Sequence, residues 1–143
     1  MCLGGHHDIY EQQIPYAAIS TVFGFEGAPV DGSFGKYLGV PDSEEGPWFY
    51  LIRHEPFARI PRHSHNGNVM HYLLEGFWRV GDDESELRFP GFFHFERAGE
   101  FWGPLRIGPE GSKMIAIYDR RPDFIPADGN EPGYADPLRA RAS

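Results

Sequence analysis

Short apolar segments separated by turn residues constrain the fold of this chain more than any other feature. From Trp48 onward, segments rich in aromatic and β-branched residues are interrupted by turn signals roughly every 8–12 residues. Glycine and proline, with 18 and 13 copies in 143 residues, weaken helix interiors, and no convincing helical period lies between the segments. An all-β, antiparallel sandwich or barrel is therefore predicted.

Three regions are predicted along the chain. Residues 1–45 form an N-terminal arm that contributes strands, residues 46–121 form the barrel core, and residues 122–143 form an irregular, proline-rich tail that wraps the barrel loosely or frays. Within the core, the spacing predicts two hairpins. The first has its tight turn at Glu75-Gly76, and the second has its turn at residues 108–111.

Charge and composition exclude several classes of function. The formal net charge of −8 disfavours a general electrostatic contact with nucleic acid. A single cysteine, Cys2, excludes an internal disulfide and fits a reducing compartment. The N-terminus does not resemble a signal peptide, and no segment approaches the ~20 apolar residues of a membrane helix. We therefore expect a cytoplasmic protein that acts on a small molecule, without a nucleic-acid or membrane partner.

Histidine is the residue type that points to chemistry. Five of the seven histidines fall within residues 46–121, and four of these are candidates for the site: His63, His65, His71 and His94. His63 and His65 are two residues apart, so on a strand both rings face one side and can reach the same ion. Neutral imidazole suits Fe(II), Zn, Ni, Cu or Mn, and the pair does not select among them. His54 is predicted to lie on the surface.

The residues around this pair resemble the cupins. His63-x-His65 followed by Tyr72-Leu73-Leu74-Glu75-Gly76 resembles the first cupin motif, and residues 90–104 resemble the second motif of a group of small cupins. That group includes acetylacetone dioxygenase, dihydroxyacetophenone dioxygenase and anti-sigma-factor cupin domains. The resemblance covers residues 48–124. It implies a jelly-roll barrel and a divalent metal, with Fe(II) favoured and Zn or Ni as alternatives.

Two departures from the motifs affect that implied metal site. Trp102 stands at the third-histidine position, and an indole has no basic lone pair with which to bind a metal. The usual glutamate of the first motif falls at Val69 or Met70. A rebuilt site is conceivable, in which the metal ligands are His63, His65 and His71 and the further catalytic candidates are His71, His94 and Glu96. The alternative is a histidine pocket that binds no metal.

Each of these residues has a structural alternative. His63 and His65 would then be a vestigial polar pair, His71 and His94 would be satisfied core histidines, and Glu96 would orient a histidine or cap a strand end. Aromatic side chains of the core are predicted either to pack or to line the substrate pocket. These side chains are Tyr72, Phe92, Trp102 and Trp78.

Three functions remain open. The resemblance implies a metal-dependent cupin enzyme, with oxygen-dependent cleavage of a dicarbonyl or hydroxyketone as the reaction. The second is a non-redox isomerase, cyclase or lyase in which histidines act as acid and base, with or without metal. The third is a sensor that binds a ligand without turnover. Small cupins commonly pair through the arm strand, which implies a homodimer.

Overall fold

The computed structural model describes residues 7–24, 32–40 and 44–127, and the regular secondary structure in this part of the chain is almost all strand. A 3-10 turn spans Glu11–Gln13 and one short helix, α1, spans Ile19–Phe23. The strands are β1 (Ala17–Ala18), β2 (Ser33–Tyr37), β3 (Trp48–His54), β4 (Arg59–Ile60), β5 (His63–Ser64), β6 (Val69–Val80), β7 (Glu86–Arg88), β8 (Phe93–Glu96), β9 (Leu105–Tyr118) and β10 (Ile125–Pro126). No helix in the described ranges is both long and apolar enough to cross a membrane.

All strand pairs are antiparallel, and two long strands hold the barrel together. β6 and β9 pair with each other from Val69 opposite Tyr118 to Val80 opposite Leu105. The first half of β6 also pairs with β8, and its second half pairs with β7. The first residues of β9 pair with β4, and its second half pairs with β3. On its other side β3 pairs with β2, and β2 pairs with β1. The predicted all-β antiparallel fold is confirmed.

The two predicted hairpins are wrong, because residues 69–80 and 105–118 each form one bent strand. The register between them shifts on both sides of Gly76, which is the signature of bulges. Gly76 and Gly111 have φ of 81° and 74° and lie against each other at the bend. A Cβ at Gly76 would lie 2.0 Å from the Gly111 carbonyl oxygen, so the two strands approach this closely only because residue 76 is glycine.

Side chains alternate between the interior and the outer face along these strands. On β6, Val69, His71 and Leu73 are buried, whereas Tyr72 is 42% exposed. The largest buried side chain is Trp78, whose indole N–H donates to the Ser112 hydroxyl at 2.9 Å. The core therefore lies inside the barrel, and the histidine on β6 belongs to it.

Both chain ends contribute to the barrel. In the arm, α1 buries Ile19 and Phe23, and the Phe23 ring packs edge-on against Tyr50 and Tyr118. The described part of the predicted tail forms an ordered segment, residues 122–127, which we call the clasp. Its strand β10 pairs with β5, so the clasp lies directly over the H-x-H segment. The remaining tail, residues 128–143, lies outside the described residues.

Candidate functional site

A small cavity of about 50 Å³ lies inside the barrel, between the inner face of the sheet and the H-x-H segment. Its wall is mostly aliphatic and aromatic, and the histidines stand out among its side chains. The polar and aromatic residues that matter below are Ser33, His54, His63, His65, His71, Trp102, Tyr118 and Phe124. By the rule that a water needs about 10–15 Å³, the space holds roughly three to five non-hydrogen atoms.

The H-x-H segment presents two oriented imidazoles to this cavity. His63 Nδ1 donates to the Pro61 carbonyl at 2.7 Å, and His65 Nδ1 donates to the Asp123 carbonyl. The two ring centroids are 4.8 Å apart. Because each Nδ1 carries the proton of its neutral ring, each Nε2 is left with a free lone pair.

The clasp fixes these rings. Ile125 and Pro126 pair with Ser64 and His63, and the Phe124 ring stacks on the His63 ring at 4.2 Å. The Asp123 carboxylate accepts from the Asn66 backbone N–H at 3.1 Å, which ties the clasp to the turn after the pair. The orientation of both histidines therefore depends on residues that follow the barrel strands.

Two rows of cross-strand neighbours on β6 and β8 point inward opposite the H-x-H segment, and His71 is the member that lines the cavity. His71 pairs with His94, and Val69 pairs with Glu96. Directly opposed residues in an antiparallel pair share a face, so all four side chains point inward. Val69, with 0% exposure, is thus the inward residue at the usual glutamate position, and a carboxylate stands beside it on the neighbouring strand.

His71 is the least satisfied polar residue of the site. Its side chain is buried, and neither ring nitrogen has a hydrogen-bond partner among the described residues. A buried polar group without a partner costs about 1–3 kcal/mol, and native proteins rarely leave one in place without a reason. His71 is therefore positioned to bond something that enters the cavity.

His94 and Glu96 form a layer behind this wall. His94 Nε2 lies 3.1 Å from a Glu96 carboxylate oxygen, and its ring stacks on Trp102 at 3.8 Å between centroids. Trp102 lines the cavity, and its backbone forms a two-way bridge with His63. The indole thus separates His94 from the cavity, although His71 stacks with His94 at 5.9 Å.

Burial keeps the cavity histidines neutral. Burial first, and then the neighbouring His65 ring, lowers the pKa of His63 from 6.5 to about 3. Burial and the surrounding imidazoles hold the pKa of His71 well below its ordinary value. Burial also lowers the pKa of His65, but the hydrogen bond to Asp123 and the charge of Glu96 oppose that shift. His65 is consequently the imidazole here with the most support for accepting a proton.

The four aromatic side chains predicted to line the substrate pocket lie in different parts of the barrel. Trp102 lines the cavity. Tyr72 lies on the outer face of the barrel, whereas Trp78 is fully buried and bonded to Ser112. Phe92 is half-buried and stacks against His94 at 5.9 Å, in the layer behind Trp102. Of the four, Trp102 alone contacts the described cavity.

Some residues of the site did not emerge from the sequence. The surface position predicted for His54 is wrong: the side chain is 4% exposed, lines the cavity and bonds Ser112 Oγ at 3.2 Å. Its alternation with the inward residues Tyr50 and Ile52 was a readable signal for burial. Ser33 and Phe124 had no comparable signal, because long-range pairing brings them to the cavity.

The donor set does not fit the metal centre that the motifs imply. No group of three or more His, Cys, Asp or Glu side chains within the described ranges is placed to hold an ion. His63 and His65 offer lone pairs, but Trp102 supplies no ligand in the place of the third histidine, and Val69 supplies none in the place of the glutamate. As arranged, the site is a histidine-lined pocket with two of the usual ligands.

Comparisons with known proteins identify the fold. No protein-family model matches the chain, and no curated protein matches it significantly in sequence. Among solved structures, the polyketide cyclase RemF from Streptomyces resistomycificus superimposes with a TM-score of 0.67 at 19% identity, over 90% of each chain. An acetylacetone dioxygenase from Acinetobacter johnsonii gives 0.61 at 18% identity, over 99% of this chain and 91% of that one. The chain has the fold of a small cupin.

The cupin fold confirms the jelly-roll barrel predicted from the motifs. An RmlC-like cupin protein from Ralstonia eutropha JMP134 also superimposes, with a TM-score of 0.63 at 17% identity over 85% of this chain and 73% of that one. These similar structures include enzymes with unlike reactions, a cyclase and a dioxygenase. Because one fold hosts many chemistries, the reaction has to be argued from the site itself.

Proposed function

We propose that this cupin is a non-redox enzyme that moves a proton on a compact organic substrate held in the histidine cavity. The observation that carries the proposal is His71, buried in the cavity wall with both ring nitrogens unpartnered among the described residues. Neutral imidazoles with free nitrogens are the groups that general acid–base catalysis uses most often. Isomerisation, cyclisation and elimination all begin with such a proton transfer.

His65 is assigned the role of base. Its Nδ1–H is held by the Asp123 carbonyl, so Nε2 faces the substrate with its lone pair. The nearby Glu96 carboxylate raises the proton affinity of the ring. The base takes a proton from the carbon beside a carbonyl. The electron pair of that C–H bond forms a carbon–carbon double bond, and the π pair of the carbonyl moves onto its oxygen.

His71 is assigned the role of hydrogen-bond donor to that carbonyl oxygen. A neutral imidazole has one N–H and one lone pair, so it donates a hydrogen bond to the oxygen as negative charge develops there. The dry, mostly apolar wall strengthens that bond relative to water. Return of the proton to a different atom completes an isomerisation, whereas departure of a leaving group from the neighbouring carbon completes an elimination.

Deuterium exchange tests this proposal directly. Uncharged ketones of three to five non-hydrogen atoms, hydroxyacetone among them, are incubated in D₂O, and loss of the α-proton signal is followed by NMR. We expect exchange above the buffer rate and a loss of 10²-fold or more in His65→Gln and in His71→Gln. The variant Phe89→Ala, exposed and outside the cavity wall, is the matched control. Full exchange in both histidine variants contradicts the assignment.

The metal-dependent, oxygen-consuming reaction implied by the motifs is the second candidate. Its specific support is the pair of free Nε2 lone pairs on His63 and His65, whose rings are 4.8 Å apart. Elemental analysis of protein purified without a histidine tag, paired with oxygen-electrode measurements, separates the two candidates. Stoichiometric iron that disappears in His63→Ala, together with substrate-dependent oxygen uptake, would favour this second function.

The homodimer predicted from the sequence also stays a proposal, supported by the outer face of the sheet. Two uninterrupted apolar rows cross β3, β9, β6 and β8 on that face. They are Phe49, Ile117, Met70 and Phe95, and Leu51, Ile115, Tyr72 and Phe93. The four exposed aromatics among them, at 38–58% exposure, provide roughly 400 Å² of surface. That is half of the ~800 Å² that a stable dimer buries on each partner.

Sedimentation analysis tests the dimer. We expect twice the chain mass of 16.2 kDa for the protein and the monomer mass for the double variant Phe93→Ser, Phe95→Ser. Phe89→Ser, exposed outside the two rows, is the control and should leave the mass unchanged. A monomer mass for the unmodified protein contradicts the proposal.

A further inference from the structure

A groove of about 560 Å³ lies on the outer face of the barrel, where the second half of β6 pairs with the first residues of β9. None of the described residues that line the histidine cavity also lines this groove. Its volume falls within the range of small-molecule sites, about 300–1,000 Å³. The groove is therefore a separate feature of the barrel with room for a ligand.

Two arginines stand directly opposite each other in this groove. Arg79 of β6 pairs with Arg106 of β9, and each lies between buried neighbours on its strand, so both side chains are on the outer face. On its other side, Arg106 is directly opposite Arg59 of β4. Like charges at directly opposed positions destabilise a sheet. An anion between the two guanidinium groups of the groove would relieve that repulsion.

The carboxylates near the groove leave Arg79 without a counter-ion. Glu84 is the one carboxylate among the described residues that line the groove, and it lies 3.4 Å from Arg106 Nε. The other carboxylates of the same turn and strand are engaged elsewhere: Asp82 with Arg62, Asp83 with the Ser85 backbone N–H, and Glu86 with Arg88. Within the described part of the chain, Arg79 makes no salt bridge, and its printed contact is with the ring of Phe77. Its N–H donors are therefore available to a ligand.

Two aromatic rings provide an apolar surface beside these arginines. The Phe57 side chain is 62% exposed. The Phe77 ring lies over Gly108, where an added Cβ would meet it at 2.9 Å. The Arg79 guanidinium lies 5.8 Å from the centroid of the Phe77 ring. The groove thus combines cationic donors with flat apolar side chains.

Backbone strain at the same groove is an independent sign of a binding site. Phe57 and Glu84 have φ of 62° and 54°, and they are the non-glycine residues with positive φ in the described ranges. Side chains with a Cβ rarely adopt this region, and such residues concentrate at functional sites. The Phe57 N–H donates to the Gly108 carbonyl at 3.2 Å, and its carbonyl accepts from Arg106 Nη1 at 2.8 Å. The strained backbone is therefore held in place, with the Phe57 ring exposed at the groove.

We propose that this groove binds an organic anion with a flat apolar body. The oxyanion group, a carboxylate or a phosphate, accepts hydrogen bonds from Arg79 and Arg106, and the body packs on Phe57 and Phe77. Guanidinium groups suit both oxyanions because their N–H donors form a planar fork. Such a ligand is far larger than the 50 Å³ of the histidine cavity, so this second site does not rest on the proposed proton-transfer function.

Four probes separate the charge of the ligand from its apolar body. The anions 2-naphthoate and 2-naphthyl phosphate have both, 2-naphthalenemethanol has the body alone, and acetate has the charge alone. Binding is followed at neutral pH by protein NMR titration, in which the amide signals of Ile107 and Gly108 report on the groove. We expect the tighter of the two naphthyl anions to bind at least tenfold more tightly than the alcohol or acetate, and that anion identifies the preferred oxyanion.

Charge variants test the role of the arginines. Arg79→Gln should weaken binding of the naphthyl anion at least fivefold. Arg97→Gln, which removes the same charge at an exposed position outside the groove, is the matched control and should leave the affinity unchanged. Glu84→Gln should tighten binding at least twofold, because the carboxylate no longer competes with the ligand for Arg106.

The thermal midpoint of the ligand-free protein gives a second readout. Arg79→Gln should leave the midpoint unchanged or raise it, because it removes a like-charge pair, whereas loss of a structural arginine would lower it. Equal affinities for the naphthyl anion and the alcohol, or equal losses of affinity in Arg79→Gln and Arg97→Gln, would overturn the proposal. Signal shifts confined to residues outside the groove would overturn it as well.

Discussion

Acidification should unfold this protein through its buried neutral histidines. Burial lowers the pKa of His54 from 6.5 to about 4 and the pKa of His63 to about 3. The unfolded chain binds these protons below about pH 6.5, but the folded protein does not. The stabilisation is thus complete above pH 6.5 and is lost as the pH falls toward the folded pKa values.

The magnitude follows from the difference between the unfolded pKa and the working pH. At about pH 5 that difference is about 1.5 units, and each unit corresponds to about 1.36 kcal/mol, so each histidine lowers the free energy of unfolding by about 2 kcal/mol. His54 and His63 together account for about 4 kcal/mol, and His71, whose pKa burial also holds well below its ordinary value, adds to that loss. That loss is a large part of the stability of a typical domain, about 5–15 kcal/mol.

Urea unfolding at pH 7 and pH 5, followed by tryptophan fluorescence, measures this effect. We expect the pH-dependent loss to be smaller by about 2 kcal/mol in His54→Gln, because one proton-binding difference is removed. Thr21→Ala, at an exposed position of α1, should show the full loss. A free energy of unfolding that is equal at the two pH values, or the same loss in His54→Gln, would refute this explanation.

Three further outcomes are expected. Gly76→Ala should lower the free energy of unfolding in urea by more than about 4 kcal/mol, because its Cβ would meet the backbone of Gly111. Gly24→Ala has a similar φ but open space around it, so it should cost only about 1–2 kcal/mol. Equal costs for the two variants would contradict the close approach of the strands at Gly76. Trp102→His should raise Zn²⁺ affinity at least tenfold by calorimetry, because it adds a third imidazole beside the pair, and unchanged affinity would place the site elsewhere. Phe124→Ala should reduce deuterium exchange at least tenfold, because it loosens the clasp whose Asp123 carbonyl orients His65, whereas the exposed Phe89→Ala should not. Equal rates would show that the clasp does not contribute to the site.

The sequence allowed the strands and the sidedness of the histidines to be predicted, but not the path of the chain at the barrel bends. The strand period alone places His63 and His65 on one side. The local sequence around Glu75-Gly76, however, is equally compatible with a tight turn and with a bulge in one long strand. Which of them forms depends on Gly76 meeting Gly111 across a long-range strand pair, and no local signal encodes that contact.

Site residues whose position follows from the alternation along their own strand could be predicted, whereas residues brought in by long-range contacts could not. His71 follows from the alternation on its own strand, and His54 would have followed from the same rule applied to Tyr50 and Ile52. Ser33 reaches the cavity because β2 of the arm pairs with β3. Phe124 reaches it because β10 of the clasp pairs with β5. Sequence spacing specifies neither pairing. Sequence patterns therefore located the centre of the site and missed both of these contributions.

The clasp makes the chemistry of the pocket depend on residues that follow the last long strand. The Asp123 carbonyl orients His65 and the Phe124 ring stacks on His63, and both residues come after β9 in the chain. The pairing of β6 with β9 does not include the clasp. A protease that cut the chain between Tyr118 and the clasp would therefore leave these long strands paired while releasing both imidazoles, so that a folded protein would lose the proposed chemistry.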